Sequence, residues 1–461
     1  MISSKKLVKE NTYAVVSQFL SFARGLVFNI IFPIIMGPLL FGQFTTLISY
    51  SYFSSALLSG FNFAMMRRTA VVKEKAKTFY SYLHSKIITA VVLIAVAFSF
   101  AALSYNWVNA TQLILASFFA LFLSLQTLIT SYNISVYNNL KNTIGTLFYA
   151  FLSVLLPLSL YYFYHSIEAV VAGLVISSII TILMINPRLK YEKVKSKFEG
   201  VSPFSVIVMF QNLLMWGVIL ILSFFSASES VAFFKVALSW VLMIVSMIPI
   251  STSVVFTSLV KAKEEDEKAF KKYVDKSLKY SLLLLVPAMF GLYFVSTKMI
   301  SLIYGSSYLQ ASQALKILSW AILPLFINNV LVSILAAMKK EKRTAGIMLF
   351  STIFLITISI PLVYYYGLIG ISLAFLSSAY LAMILMINHL RIRRQVLKNL
   401  TKPLIASIIM SVPLFFLIKE VHSLITGIIL ITGAALIYFA TLFIIKGISK
   451  NDLKLIKHVV K

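Results

Sequence analysis

YAVVSQFLSFARGLVFNIIFPIIM, residues 13–36, is long enough to cross a bilayer as a helix and carries a single charge, Arg24, near its middle. About 20 apolar residues at 1.5 Å each span the hydrocarbon core. A guanidinium does not lose its proton there, and insertion scales put its cost at a helix centre at about 2.5–3.5 kcal/mol. Something must meet that charge, and the rest of the chain is read for what it offers.

The 461 residues are 60% hydrophobic and only 12% charged, a balance that a soluble core could not hide. Apolar runs recur to the end of the chain and predict fourteen spans: 13–36, 43–65, 86–105, 111–133, 143–163, 168–186, 203–225, 231–257, 280–297, 314–338, 345–365, 368–388, 403–419 and 424–446. The basic start MISSKKLVKE precedes an apolar run longer than a signal-peptide core and lacks a small-residue cleavage site, so it reads as an uncleaved first span.

The net charge of +27 is a topology signal. With the N-terminus inside, all of the 41 lysines and arginines except Arg24, Lys235, Lys298, Lys316 and Lys419 fall on the inner side. That asymmetry predicts an even number of spans with both termini cytoplasmic, and its dispersal over many short loops argues against nucleic acid as a partner. Outer connections such as GPLLFG and SASES are too short to form a catalytic domain. Two inner stretches look amphipathic and are expected to lie along the membrane surface: KAKEEDEKAFKKYVDKSLKY, with Phe270, Val274 and Leu278 on one face, and the tail SKNDLKLIKHVVK.

No carboxylate lies in the middle of any span. The aspartates, Asp266, Asp275 and Asp452, are all in inner segments, and the glutamates sit in loops or at span ends. A drug or cation antiporter of this size would ordinarily use an intramembrane acid. Against that absence stand two cations within spans, Arg24 and Lys235. With no buried acid to pair with, their counter-charge is expected to arrive with an anionic cargo, a phosphate or carboxylate suited to a guanidinium fork. Other readings stand beside this one: Arg24 bonded to carbonyls or to Gln18 and Gln211, and Lys235 snorkelling to the outer surface. The amides Gln18, Asn29, Gln211, Asn212 and Asn328 are candidates to line a hydrated path against sugar hydroxyls, or equally to join helices. Prolines at or within spans, including Pro157, Pro287, Pro324, Pro361 and Pro413, are either hinges or static kinks. The five histidines show no catalytic or metal spacing, and cysteine is absent, so neither an enzyme nor a metal or other cofactor is expected.

A weak repeat sets FGQFTTL (41–47) on VAFFKVA (231–237) and LFYAFL (147–152) on LFSTIF (349–354), the plan of a duplicated transporter. Together with MGPLLFGQF after the first span, VPAMFGLYFVSTKMISLIYGSSYLQASQALKILSW and ILAAMKKEKR, the pattern resembles the polysaccharide and O-antigen flippases of the multidrug/oligosaccharidyl-lipid/polysaccharide superfamily. The resemblance covers nearly the whole chain. It implies an all-α polytopic membrane fold of about 14 transmembrane helices, with two six-helix lobes around a central cavity and two C-terminal helices. The lobes would be residues 1–200 and 201–390, followed by the last two spans at 391–446 and an amphipathic cytoplasmic tail at 447–461. It implies cations on spans one and eight, which Arg24 and Lys235 occupy. The implied activity is movement of an undecaprenyl-pyrophosphate-linked oligosaccharide, an O-antigen or capsular repeat unit, across a bacterial inner membrane, among membrane lipids and beside a polysaccharide polymerase and chain-length machinery. A multidrug antiporter of the same fold and a non-transporting scaffold of an assembly complex are the alternatives.

Overall fold

The computed structural model describes residues 4–69, 72, 74–103, 109–187, 189–191, 194, 203–247, 259, 263 and 266–447. Within them the chain is helical: α1 (Ser4–Leu57), α2 (Ser59–Thr69), α3 (Lys75–Leu103), α4 (Ala110–Ser135), α5 (Asn139–Tyr164), α6 (Ile167–Ile185), α7 (Pro203–Phe225), α8 (Ser228–Met247), α9 (Glu267–Tyr304), α10 (Ala311–Ser319), α11 (Ile322–Ala337), α12 (Glu341–Leu390), α13 (Arg393–Leu417) and α14 (Leu424–Ile444). In hydrocarbon only a helix or a closed barrel satisfies its own peptide groups, so an apolar chain of this length has little choice.

Among the described residues nine helices are long and apolar enough to span, and the α10–α11 pair, bent by 44°, makes a tenth. Two of the nine, α1 and α12, each hold two predicted spans joined at a glycine: Gly37 at φ 72° and Gly367 at φ 50°. Left-handed backbone costs glycine little, which lets the chain reverse in a tight turn. The shorter apolar stretch of α7 and the helix α3 carry the remaining two of the fourteen, and the eighth span is described only as far as Met247. The second span is itself broken, because α1 ends at Leu57 and α2 restarts at Ser59. No proline marks that break, and α5, α9, α12 and α13 continue as helix through Pro157, Pro287, Pro361 and Pro413.

One expectation is corrected. The amphipathic stretch around Phe270 to Leu278 does not form a separate surface helix. It is the opening of α9, continuous with the ninth span, with Val274 and Leu278 buried and Asp275 accepting a 2.8 Å hydrogen bond from Asn399 of α13. Its apolar face meets protein instead of lipid headgroups. The tail beyond residue 447 lies outside the described residues.

The chain forms two compact units, Met1–Ala232 and Phe233–Lys461. In the first, Met65 of α2, Phe79 and Tyr82 of α3, and Leu128 and Tyr132 of α4 form one apolar cluster. Small residues set the helix spacing, as lipid tails supply no hydrophobic drive for association. Gly173 of α6 lies directly against the backbone of Pro157 in α5. The N-terminal end of α5 is held by Glu10, whose carboxylate accepts the Asn139 amide at 2.7 Å, a negative charge placed on the positive end of a helix dipole. In the second unit, α9, α13 and α14 pack through Leu283, Met410, Leu414 and Tyr438, and the buried Tyr438 hydroxyl donates to the Leu283 carbonyl at 2.7 Å.

Gly370 in α12 leaves no room for a β-carbon, which would overlap the Leu362 carbonyl across the Gly367 turn, whereas Gly346 in the same helix faces open space. Gly370→Ala should therefore cost about 1–3 kcal/mol through overpacking. Gly346→Ala should be neutral or stabilising by up to about 1 kcal/mol. Thermal unfolding of the two variants in detergent compares them directly.

Candidate functional site

Arg24 sits halfway along the first limb of α1 and is half-buried. Its neighbours are aromatic. The guanidinium carbon lies 5.2 Å from the ring centroid of Tyr149 on α5, and the guanidinium donates to the hydroxyl of Tyr52 on the second limb of α1. The Tyr52 ring stacks on Trp216 of α7 at 4.3 Å and 8°, and meets Phe119 of α4 edge-on at 6.1 Å. The reversal at Gly37 makes this possible, because it returns the chain so that residues 24 and 52 of one helix face each other. No carboxylate lies within salt-bridge distance of Arg24 among the described residues, where the ion pairs are Lys77–Glu74 and Lys271–Glu267, both exposed.

A tyrosine face attracts a cation, by about 0.5–2 kcal/mol, without neutralising it. The guanidinium therefore keeps a full charge and spare donors. Beside it, the Tyr149 hydroxyl is engaged with Ser178 on α6 and with Tyr52, and one turn along α5 the Ser153 hydroxyl is buried with no hydrogen-bond partner among the described residues. Tyrosine hydroxyls beside an unneutralised cation can turn their donors to an oxyanion or to water that enters there.

The other candidates from the sequence are placed differently. Gln18 is exposed. Asn29 donates to the Gly25 carbonyl of its own helix at 2.7 Å. Gln211 and Asn212 are half-buried on α7, and all of these lie in the first unit. In the second unit, Lys235 is half-buried on α8 between the buried Phe234 and Val236. Asn328 is buried on α11, donates to the Ala379 carbonyl of α12 at 3.1 Å and leaves its Oδ1 without a partner.

Lys86, at the margin of the third predicted span and among the inner-side cations, carries no signal in the sequence that sets it apart. It is fully buried on α3, and its ammonium donates to Asn62 Oδ1 at 2.7 Å, to the Ser124 carbonyl and to Thr127 Oγ1 at 3.4 Å. The second unit also holds an apolar cavity of about 390 Å³, lined by Trp240, Pro287, Gly291, Met410, Ala434 and Phe439 among others. Outside the spans, His389 at the end of α12 is pushed below the usual imidazole value by partial desolvation, and further by Lys340 and Arg343.

The profile of a family described as "Polysaccharide biosynthesis protein" matches residues 34–313. Among solved structures, the lipid II flippase MurJ in an inward closed conformation is similar with a TM-score of 0.72 at 19% identity, covering 95% of this chain and 98% of that one. A multidrug resistance MATE family transporter of the MOP superfamily in an inward-facing conformation gives 0.58 at 14% identity, covering 82% and 95%. The MATE multidrug transporter DinF-BH gives 0.54 at 16%, covering 85% and 96%. At these identities the likeness establishes the fold, a helical membrane transporter architecture. No curated protein sequence matches the chain significantly.

The Tyr149 hydroxyl is engaged with Ser178 and Tyr52, and its ring lies under Arg24. Tyr149→Phe should lower thermal stability by about 1 kcal/mol, the net worth of a neutral hydrogen bond. Tyr149→Leu should lower it further, by about 0.5–2 kcal/mol, through the lost cation–π contact. Unfolding of the two variants in the same detergent separates ring from hydroxyl.

Proposed function

The chain belongs to the polysaccharide biosynthesis protein family, and from that premise we propose that it is a flippase which carries an undecaprenyl-pyrophosphate-linked oligosaccharide from the inner to the outer leaflet of a bacterial cytoplasmic membrane by alternating access. The observation that carries this reading is Arg24: a half-buried guanidinium inside a span, met by the tyrosines Tyr52 and Tyr149, with no acid in reach among the described residues. A diphosphate brings both the counter-charge and the acceptors that such a lining lacks. Lys235 is a second cation for the headgroup, and the amides Gln18, Asn29, Gln211, Asn212 and Asn328 are the proposed contacts for sugar. An O-antigen or capsular repeat unit is the cargo this reading favours, with the polymerase and chain-length machinery acting on it after release.

Such a cargo is amphipathic, and its prenyl chain must keep to apolar surroundings while the headgroup crosses. The cavity of the second unit offers them, since its lining is almost wholly apolar. The driving force need not come from a bound ion. With the inside negative, outward movement of an anion is favoured by about 2.3 kcal/mol per charge per 100 mV.

Two outcomes follow. In proteoliposomes carrying the lipid-linked oligosaccharide, Arg24→Ala should reduce flipping at least about tenfold, the loss of one charge-assisted interaction, and collapsing the potential should slow the wild type. Flipping by Arg24→Ala at the wild-type rate, with equal protein in the membrane, would refute the assignment. Gly291 lines the apolar cavity and has open space where a β-carbon would go. Gly291→Trp should therefore fold normally yet raise the concentration of lipid-linked cargo needed for half-maximal flipping, with little effect on a water-soluble pyrophosphate competing at Arg24.

A further inference from the structure

The second span is in two pieces, and Lys86 adds a polar tie on the second piece to the apolar cluster around Met65 and to the 3.3 Å bond from the Asn62 amide to the Thr127 hydroxyl. α2 begins at Ser59 after the break at Leu58, and it carries Asn62, whose side-chain oxygen accepts one proton of the Lys86 ammonium. The other two protons go to the Ser124 carbonyl and the Thr127 hydroxyl of α4. Three donors meet three oxygens, drawn from the two helices that pack on α3. All three acceptors are neutral. The ionisable side chains on the elements packed here are Arg67 and Arg68 of α2, Tyr132 of α4, Lys75, Lys77, Tyr80, Tyr82 and His84 of α3 itself, Tyr191 against His84, and Glu10, Tyr13, Arg24, Tyr50 and Tyr52 of α1. The acid among them, Glu10, is taken up by Asn139 of α5, Glu74 just before α3 pairs with Lys77, and α7, which also touches α2, carries no ionisable residue.

A tripod of this kind is built for one protonation state. An ammonium has three N–H donors and no lone pair, whereas an amine has two donors and a lone pair. After loss of a proton, one of the three oxygens faces that lone pair; the Ser124 carbonyl still accepts from Thr127 and the Thr127 hydroxyl from Asn62, so the Asn62 oxygen is the acceptor exposed to the loss, at about 1–3 kcal/mol. The weakest link is Asn62, because it lies on a helix of 11 residues already separated from α1.

We propose that Lys86 is a proton-binding site whose ammonium form clamps α2 to α4, and whose loss of a proton to water frees α2 to pivot at Leu58. This rests on the transport reading only for its consequence, namely that the inner half of the second span moves in a proton-dependent way during the cycle. The chain has no cysteine, so introduced thiols are the only labelling sites. Arg67→Cys on α2 and Tyr162→Cys on the exposed end of α5 take spin labels in the full chain, reconstituted in lipid nanodiscs.

A single label-to-label distance is expected near pH 6, with a second growing in toward about pH 10. The ratio of the two should change about tenfold per pH unit through the transition, as for one proton. Lys86→Arg keeps its charge throughout and should hold one distance at every pH. Lys86→Met should show the released distance without pH dependence. A wild-type distance that does not change over this range overturns the clamp, as does an identical titration in Lys86→Arg, which still reports if Lys86→Met fails to fold. Either result leaves the role of Arg24 untouched, while failure of Arg24→Ala to impair flipping leaves the clamp standing.

Discussion

A cation in hydrocarbon must be met by acceptors that the protein itself supplies, and the first unit meets two of them in opposite ways. Lys86 has one oxygen for each of its three protons, from Asn62, Ser124 and Thr127, and is fully buried. Arg24, with five donors in a planar fork, is given one hydroxyl and one aromatic face. Desolvation penalises both, yet only the lysine is closed off by the fold. The difference makes Lys86 part of the architecture and leaves Arg24 as a charge with unused valence, half-buried between two tyrosines.

Backbone geometry decides where those side chains can be. Gly37 and Gly367 turn α1 and α12 back on themselves in a single residue, so two limbs of one helix stay in contact over their length. This is why Tyr52 reaches Arg24 across only 28 residues of sequence, and why the stack on Trp216 couples that site to α7. Close approach through small residues does the same work between helices. Gly173 against Pro157 brings α6 near enough to α5 for Ser178 to reach the Tyr149 hydroxyl. A bulkier residue at 173 would push apart the two helices that carry the hydroxyls.

The spans were legible because hydropathy is a local property, and each apolar run must become a helix whatever its neighbours are. Arg24 was legible for the same reason, since a lone charge in such a run stands out without any knowledge of the fold. Lys86 was not. It sits among basic residues at a span's edge, where a lysine ordinarily reaches water, and the groups that hold it lie 24 to 41 residues away on α2 and α4. The amphipathic face of residues 270–278 was read correctly as a face and wrongly as facing lipid, because periodicity shows that a side is apolar and not what covers it. Here α13 covers it, through Asn399 on Asp275. The amides were ambiguous from the start, and their environments now differ: Asn29 turns back on its own helix, Gln18 is exposed, and Asn328 bridges α11 to α12.

The second unit carries the complementary chemistry. Where the first presents charge and hydroxyls, the second has a cavity of about 390 Å³ whose walls come from α8, α9, α13 and α14 and are nearly all carbon. Tyr438 illustrates how that character is kept. Its hydroxyl is turned away into a bond with the Leu283 carbonyl, so its ring serves the cavity and its polar end is hidden. An aromatic side chain with a polar tip normally marks a wet boundary, and satisfying the tip inside the helix packing removes it. On the proposed reading, the cargo is a lipid-linked anion, which calls for both environments, one to hold a diphosphate against the penalty of leaving water and one to keep a long hydrocarbon out of it. Neither can be built from the residues of the other, since a cation near the prenyl chain would be left unsolvated and an apolar wall around the headgroup would reject it.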